Sequence, residues 1–214
     1  MRRWPNDWRC TVLLKLEKLT ERQLKMLYTL NNLGALSRSQ IQYMFDLGSK
    51  RNANRVIQSI REYLNYKALK EHVYYLNKKG AEMIGGQVTV TGNSPLQHIV
   101  MRNDIYIFYH YPTDWKAEAK TRWILNGKEY AIVSDARFTY HDQMYFVEVD
   151  IKQKMAENLS KIKRYASLFQ FMKEKNKGEA VLLWYTVSEV KKRQLEAWCK
   201  EHGVPCEVMY KQDY

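Results

Sequence analysis

The sequence predicts an α+β protein in two parts: a small N-terminal helical bundle closed by a β-hairpin, then a larger α/β domain. Three observations carry this. Capped amphipathic segments follow one another from residue 20 to about residue 64, joined by Gly- and Ser-marked turns. A β-branched and aromatic run comes directly after them. Beyond residue 95, helix-like and strand-like runs follow in the order α-β-β-β-α-β-α-β, with no internal repeat.

The first helix opens on Thr20-Glu21-Arg22-Gln23, the Ser/Thr-x-x-Glu/Gln form of a capping box. Leu24, Leu27, Leu30 and Leu33 form one stripe behind it, and Gly34 ends it. Ser37 caps a second helix, with Ile41, Met44 and Phe45 inward, closed at Gly48. Ser49 caps a third, expected to run to about Leu64, with Ala53, Val56, Ile57, Ile60 and Leu64 facing the core. Ala68 to Leu76 reads as strand with a hairpin tip near Lys70 to His72, and Asn77 to Ile84 starts a short helix. Three helices and a hairpin in this order make a winged helix-turn-helix, residues 1–84. The polar, Gly- and Pro-containing stretch 85–95 is the expected linker, and 96–214 the α/β domain.

In that second domain Leu96 to Tyr111 reads as a helix. Three strands are expected at Trp115–Leu125, Glu129–Thr139 and Met144–Ile151. Asn126-Gly127 and His141-Asp142 supply the turns between them. Lys154–Met172 is a long basic helix, Ala180–Tyr185 a continuous apolar run as in a buried strand, and Ser188 caps a helix through Cys199. Pro205–Met209 closes with a short strand.

The chain has 214 residues, 45% hydrophobic and 27% charged, as in an ordinary folded protein. No apolar run reaches the roughly 18 residues a membrane span needs, and Met1 to Asp7 has no apolar stretch behind it, so neither a membrane anchor nor a secretory signal is expected. Cys10, Cys199 and Cys206 are scattered and form no CxxC; reduced thiols in a cytoplasmic protein are expected, without structural zinc. Net charge is +12, and through residue 92 there are 16 Lys and Arg against 7 acidic residues. A charge concentrated in one half points to a polyanionic partner rather than to general solubility.

The third helix opens Ser49-Lys50-Arg51-Asn52-Ala53-Asn54-Arg55. Lys50, Arg51, Asn54 and Arg55 cluster on its first turns, the part of a recognition helix that enters a major groove. Arg can pair with guanine and Asn with adenine, while Lys neutralises phosphate. Ser49 sits at a helix N-terminus, where backbone N–H groups attract phosphate. Lys67, Lys70 and His72 on the hairpin add backbone or minor-groove contacts. A solvated charged face is the plainer account of such a run; here charge, helix order and hairpin agree on double-stranded DNA. A winged helix used only for protein contact is the remaining alternative.

A second constellation is acidic. Phe146 to Lys152 alternates, with Val147, Val149 and Ile151 on one side and Glu148, Asp150 and Lys152 on the other. A hairpin brings Asp135 near Glu148, with Glu118 a further acid from the first strand. Carboxylates converging with a lysine can hold Mg²⁺, here on Asp135 and Glu148, and orient water against a phosphodiester. Element order and the aspartate-then-Glu-x-x spacing resemble the PD-(D/E)xK nuclease core. The pattern departs from it: Asp150 stands where lysine is usual, Lys152 lies one strand repeat later, and Ser134 replaces a proline. An inert acidic sheet face paired with Lys152, Arg137 or Lys154 competes with catalysis. The five histidines form no metal-binding pair, and no Gly-rich phosphate loop or GxSxG elbow is present.

Several stretches together resemble the replication-relaxation family of Gram-positive plasmids, integrative elements and phages. They are Tyr74-Tyr75-Leu76-Asn77-Lys78-Lys79-Gly80, His98, Ser134-Asp135-Ala136, and Phe146-Val147-Glu148-Val149-Asp150 followed by a helix with Tyr165. The resemblance implies DNA binding tied to plasmid replication, relaxation or transcriptional control, and makes Glu-x-Asp the family's own pattern. The expected function is sequence-specific duplex DNA binding. A Mg²⁺-dependent DNA nicking or cleaving enzyme on Asp135, Glu148, Asp150 and Lys152 is the alternative, and a protein-interaction module the second. A homodimer and contacts with replication proteins are expected, and no membrane.

Overall fold

The computed structural model describes residues 19–211. Cys10 and the N-terminal stretch read above lie outside them. The fold is α+β and divides into two compact units between Asn103 and Asp104. Among the described residues no helix is long and apolar enough to cross a membrane.

Unit one runs α1 (Glu21–Leu33), β1 (Ala35–Ser37), α2 (Arg38–Met44), α3 (Lys50–Ser59), a 3-10 turn (Arg61–Tyr63), β2 (Leu64–Ala68), β3 (His72–Leu76) and α4 (Lys78–Met83). It ends within α5 (Leu96–Phe108). Thr20 with Gln23 and Ser37 with Gln40 form complete capping boxes, and Ser49 and Asn77 each accept from a backbone N–H three residues on. Helices this short are marginal alone. Burial of Met26, Leu27, Leu30, Leu33, Ile41, Ala53 and Ile57 holds them. The strands form an antiparallel sheet in the order β1-β3-β2.

The third helix stops at Ser59 instead of reaching Leu64. Its apolar spacing continues, but Leu64 is taken as the first residue of β2, opposite Leu76. Asn77 locks the intervening turn, its N–H donating to the Tyr63 carbonyl and its side chain to the Glu62 carbonyl. The hairpin tip is accordingly Leu69 to Glu71, and His72 already belongs to β3. Strand β1 had no sequence signal: three residues, all buried, are too short to alternate. Within the expected linker, Val90 packs with Ala35, Val73, Tyr75, Leu96, Ile99 and Val100 of unit one. Asn103 donates to the Leu33 and Ala35 carbonyls.

Unit two is a five-stranded sheet, β4 (Lys116–Leu125), β5 (Lys128–Tyr140), β6 (Gln143–Asp150), β7 (Ala180–Thr186) and β8 (Cys206–Tyr210), in that spatial order. The first three strands are antiparallel and the last three parallel. The parallel joins are made through α6 (Met155–Glu174) and α7 (Glu189–Glu201). Both turns predicted between the antiparallel strands form with paired positive φ, 51° and 74° at Asn126-Gly127 and 46° and 62° at His141-Asp142. That conformation matches the twist of a two-residue hairpin. Phe146, Tyr165, Trp184, Leu195 and Cys199 centre a core between the sheet and both helices. In it α7 lies against β8 and brings Cys199 and Cys206, seven residues apart in sequence, into thiol contact. Both are free.

A Cβ at Gly80 of α4 would lie 2.2 Å from the Tyr63 carbonyl oxygen, which is held by the Asn77 N–H at 3.0 Å. Neither backbone can yield cheaply. Gly80→Ala is therefore expected to cost about 1–3 kcal/mol, read as a lowered urea midpoint; an unchanged midpoint contradicts this packing.

Candidate functional site

Ala53 and Ile57 are the buried residues of α3. Anchored by that face, the helix turns Lys50, Arg51, Asn54 and Arg55 to solvent, with Ser49 exposed at its cap. Asn52 fixes the entry, donating to the Leu47 carbonyl at 2.8 Å while its oxygen accepts from Arg55 at 2.9 Å. The first turn of α3 holds no acidic residue. On the hairpin, Lys67, Lys70 and His72 are exposed, and Lys67 donates to the Gly92 carbonyl at 3.0 Å. All eight residues singled out for DNA contact thus lie on the surface of unit one.

The hairpin tip is tethered by a contact that the sequence reading missed. Glu71 takes an ion pair from Arg38 at 3.0 Å, the backbone N–H of Ser39 at 3.0 Å, and the Ser39 hydroxyl. The tip is thereby fixed to the start of α2, 32 residues earlier. No local spacing announces a contact between a turn and a helix start that far apart. Glu71→Ala is expected to speed amide exchange across residues 66 to 76 while costing only about 1 kcal/mol of stability, because the pair is partly exposed. Unchanged exchange there contradicts the tether.

In unit two the ladder lapses around Asp135. The β4–β5 register passes from Ala117↔Ala136 to Ala119↔Ser134, skipping Glu118, whose φ is 49°. The β5–β6 register ends at Ala136↔Val147. Beyond it, Asp135 accepts the Val149 N–H at 2.7 Å. Asp135 and Glu148 do come together, as expected from the hairpin. Lys152 does not join them: β6 ends at Asp150, and Lys152 is exposed past the strand end. The expected alternation therefore breaks before it.

The lysines that meet these acids come from elsewhere. Lys161 of α6 bonds Glu148 at 2.5 Å, and the Tyr165 hydroxyl donates to the other Glu148 oxygen at 2.7 Å. Lys191 of α7 reaches both oxygens of Asp150 at 2.8 and 3.0 Å, and Asn158 and the Gln153 N–H add to it. Glu148 and Asp150 are fully buried. Burial, then the charge of Asp135, pushes the Glu148 carboxyl up to about 7, against the pull of Lys161 and Tyr165. Desolvation lowers Lys161, but Glu148, with Asp135 and Asp150, outweighs it and holds the ammonium above the ordinary lysine range. Burial followed by the Glu148 charge lifts Tyr165, so its hydroxyl stays a donor.

This arrangement does not fit a magnesium centre on Asp135 and Glu148. Each Glu148 oxygen already accepts one donor, Lys161 or Tyr165, and Asp135 accepts the Val149 N–H, so a cation would have to share these oxygens with them. Among the described residues no group of three His, Cys, Asp or Glu is placed to hold a metal ion. What the cluster does is fasten α6 and α7 to the C-terminal end of β6 through charge.

A carboxyl whose pKa rises on folding makes the native state bind the extra proton between the two values. Its stabilising contribution is full below about 4.5 and is lost as pH rises towards 7. The stability of Glu148→Gln relative to the parent protein should therefore improve steadily over that range, in urea midpoints taken at successive pH values. A pH-independent difference contradicts the assignment.

Comparison with known proteins then places the chain. Residues 11–182 match the replication-relaxation family, and the chain belongs to it. That family points to a role in the replication of a plasmid or other mobile element. No curated protein matches the chain. A crystal structure of protein VC1899 from Vibrio cholerae is similar at 11% identity and a TM-score of 0.39, over 89% of this chain and 53% of that one. The chain thus spans about half of that protein's length.

Proposed function

We propose that this protein binds double-stranded DNA of a plasmid or other mobile element through a winged helix-turn-helix in unit one, acting in its replication or in control of its genes. The observation that carries the reading is the outward face of α3. Lys50, Arg51, Asn54 and Arg55 are all exposed on a helix whose buried side is only Ala53 and Ile57. A hairpin stands beside it, tethered at its tip by Glu71. A solvated basic face alone would need no such neighbour. In this reading α3 is the recognition helix and β2–β3 the wing, with Arg and Asn at base edges and Lys67, Lys70 and His72 along the backbone.

The element order of unit two supports a PD-(D/E)xK-like core, but the reading gives it a scaffolding role. Two of the three acids named for catalysis, Glu148 and Asp150, already accept from Lys161, Tyr165 and Lys191.

The test is a gel shift on the element's own DNA, with and without Mg²⁺. Retardation is expected, and Arg51→Ala combined with Arg55→Ala should weaken it by about tenfold or more. Binding indifferent to that double substitution, or no binding at all, refutes the assignment. Nicking of supercoiled plasmid in the Mg²⁺ arm would reassign unit two as a nuclease.

A further inference from the structure

Between the second half of α3 and the hairpin lies a cleft of roughly 240 Å³. Its walls include Asn54 and Gln58 from the helix, Arg61 from the 3-10 turn, and Tyr66, His72 and Tyr74 from the strands. Strand pairing explains the company: Tyr66 faces Tyr74 and Ala68 faces His72, so these side chains share one side of the hairpin. The three rings pack together, Tyr66 to His72 at 4.9 Å and His72 to Tyr74 at 6.1 Å. The Arg61 guanidinium lies 4.4 Å above the Tyr66 ring and also donates through one nitrogen to the Leu64 carbonyl. A guanidinium carries five N–H donors in a rigid fork, so two such anchors orient it without exhausting it.

No carboxylate is among the residues lining this cleft. The nearby acids are engaged elsewhere, Glu62 with Lys79 and Glu71 with Arg38. Beside the apolar Ile57, the lining offers amide and guanidinium donors, the Tyr66 phenol and one cation fixed in place, while the Tyr74 hydroxyl pairs with His72 Nδ1 at 3.4 Å and leaves the other imidazole nitrogen to a ligand. That is the chemistry of a singly charged oxyanion with several acceptor oxygens. Asn54 belongs both to this cleft and to the exposed α3 face. A strand lying along α3 therefore passes its opening.

We infer that the cleft seats one phosphodiester of the bound DNA strand, with Arg61 as its principal ligand and Gln58 and His72 beside it. This rests on the duplex-binding reading and deepens it: α3 would supply sequence, and the cleft the register of the backbone. Neither Gln58 nor Arg61 stands in the basic run that opens α3, so the run alone does not reveal the cleft.

The experiment measures duplex affinity of the full chain at several salt concentrations for the parent protein, Arg61→Gln and Arg61→Lys. One duplex carries the element's sequence and another is unrelated. A phosphate contact predicts that Arg61→Gln weakens both duplexes in parallel, by about tenfold. It also predicts a slope of log K against log salt shallower by about 1, with Arg61→Lys keeping the slope. Thermal melting identifies any variant that has simply lost its fold. For that case Gln58→Ala, exposed and outside the core, gives the same parallel loss without the change in slope. If the parent protein binds DNA but folded Arg61→Gln keeps both slope and affinity, or Gln58→Ala binds as the parent does, the cleft assignment is wrong and the recognition helix stands. Loss confined to the element's sequence would make Arg61 a base reader and also overturns it. If the parent binds no duplex, both readings fall. Inorganic phosphate, titrated alone against amide shifts of residues 54 to 74, distinguishes a free-phosphate site: saturation at micromolar concentrations would assign the cleft to the free anion instead.

Discussion

Ala53 and Ile57 are the two contacts on which unit one's surface depends. A ten-residue helix with a polar majority has little reason to form alone. Buried at these two positions and capped by Ser49, it is rotated so that its charges must face outward. Overpacking or emptying either position would turn the helix as well as loosen it, because no other residue of α3 is buried. Position along the chain decides which residues are basic; this small apolar patch decides which way they point.

The hairpin depends on a different kind of contact. One edge of the hairpin is fixed by the pairing of β3 with β1, while its tip extends past that ladder. Glu71 compensates by reaching back to Arg38 and Ser39. A partly exposed ion pair is weak as a source of stability, but as a tether it limits where the tip can go. The aromatic side of the hairpin and the end of α3 then enclose a donor-lined cleft. Surface charge and local rigidity thus arise from one arrangement.

Unit two places charge where it is expensive. Glu148 and Asp150 are fully buried, and such groups persist only when nearly every oxygen has a donor. Lys161, Tyr165, Lys191 and Asn158 meet that requirement. The donors that make the carboxylates tolerable also compete with any cation for their oxygens. Burial and ligand binding therefore make opposite demands on these residues, and the donors around them meet the demand of burial.

Much of this was legible in the chain. Caps at Thr20, Ser37, Ser49 and Ser188, the Asn126-Gly127 turn, and the apolar run from Ala180 are local signals set by backbone donors and φ preferences. They fixed the α+β class, most element boundaries and the basic opening of α3. The meeting of Asp135 with Glu148 was also readable, since a two-residue turn dictates register. Lys152 was misplaced because alternation was carried past the point where β6 ends. Lys161 and Lys191 were invisible for a physical reason: they arrive from helices 13 and 41 residues away from their partners, and no local period encodes a crossover. The end of α3 at Ser59, the Glu71 tether and the Arg61 cleft have the same origin. Sequence determines what each segment can become and which groups it carries. Which groups meet, and so which charges are spent internally and which are left for a partner, is decided only when the chain closes on itself.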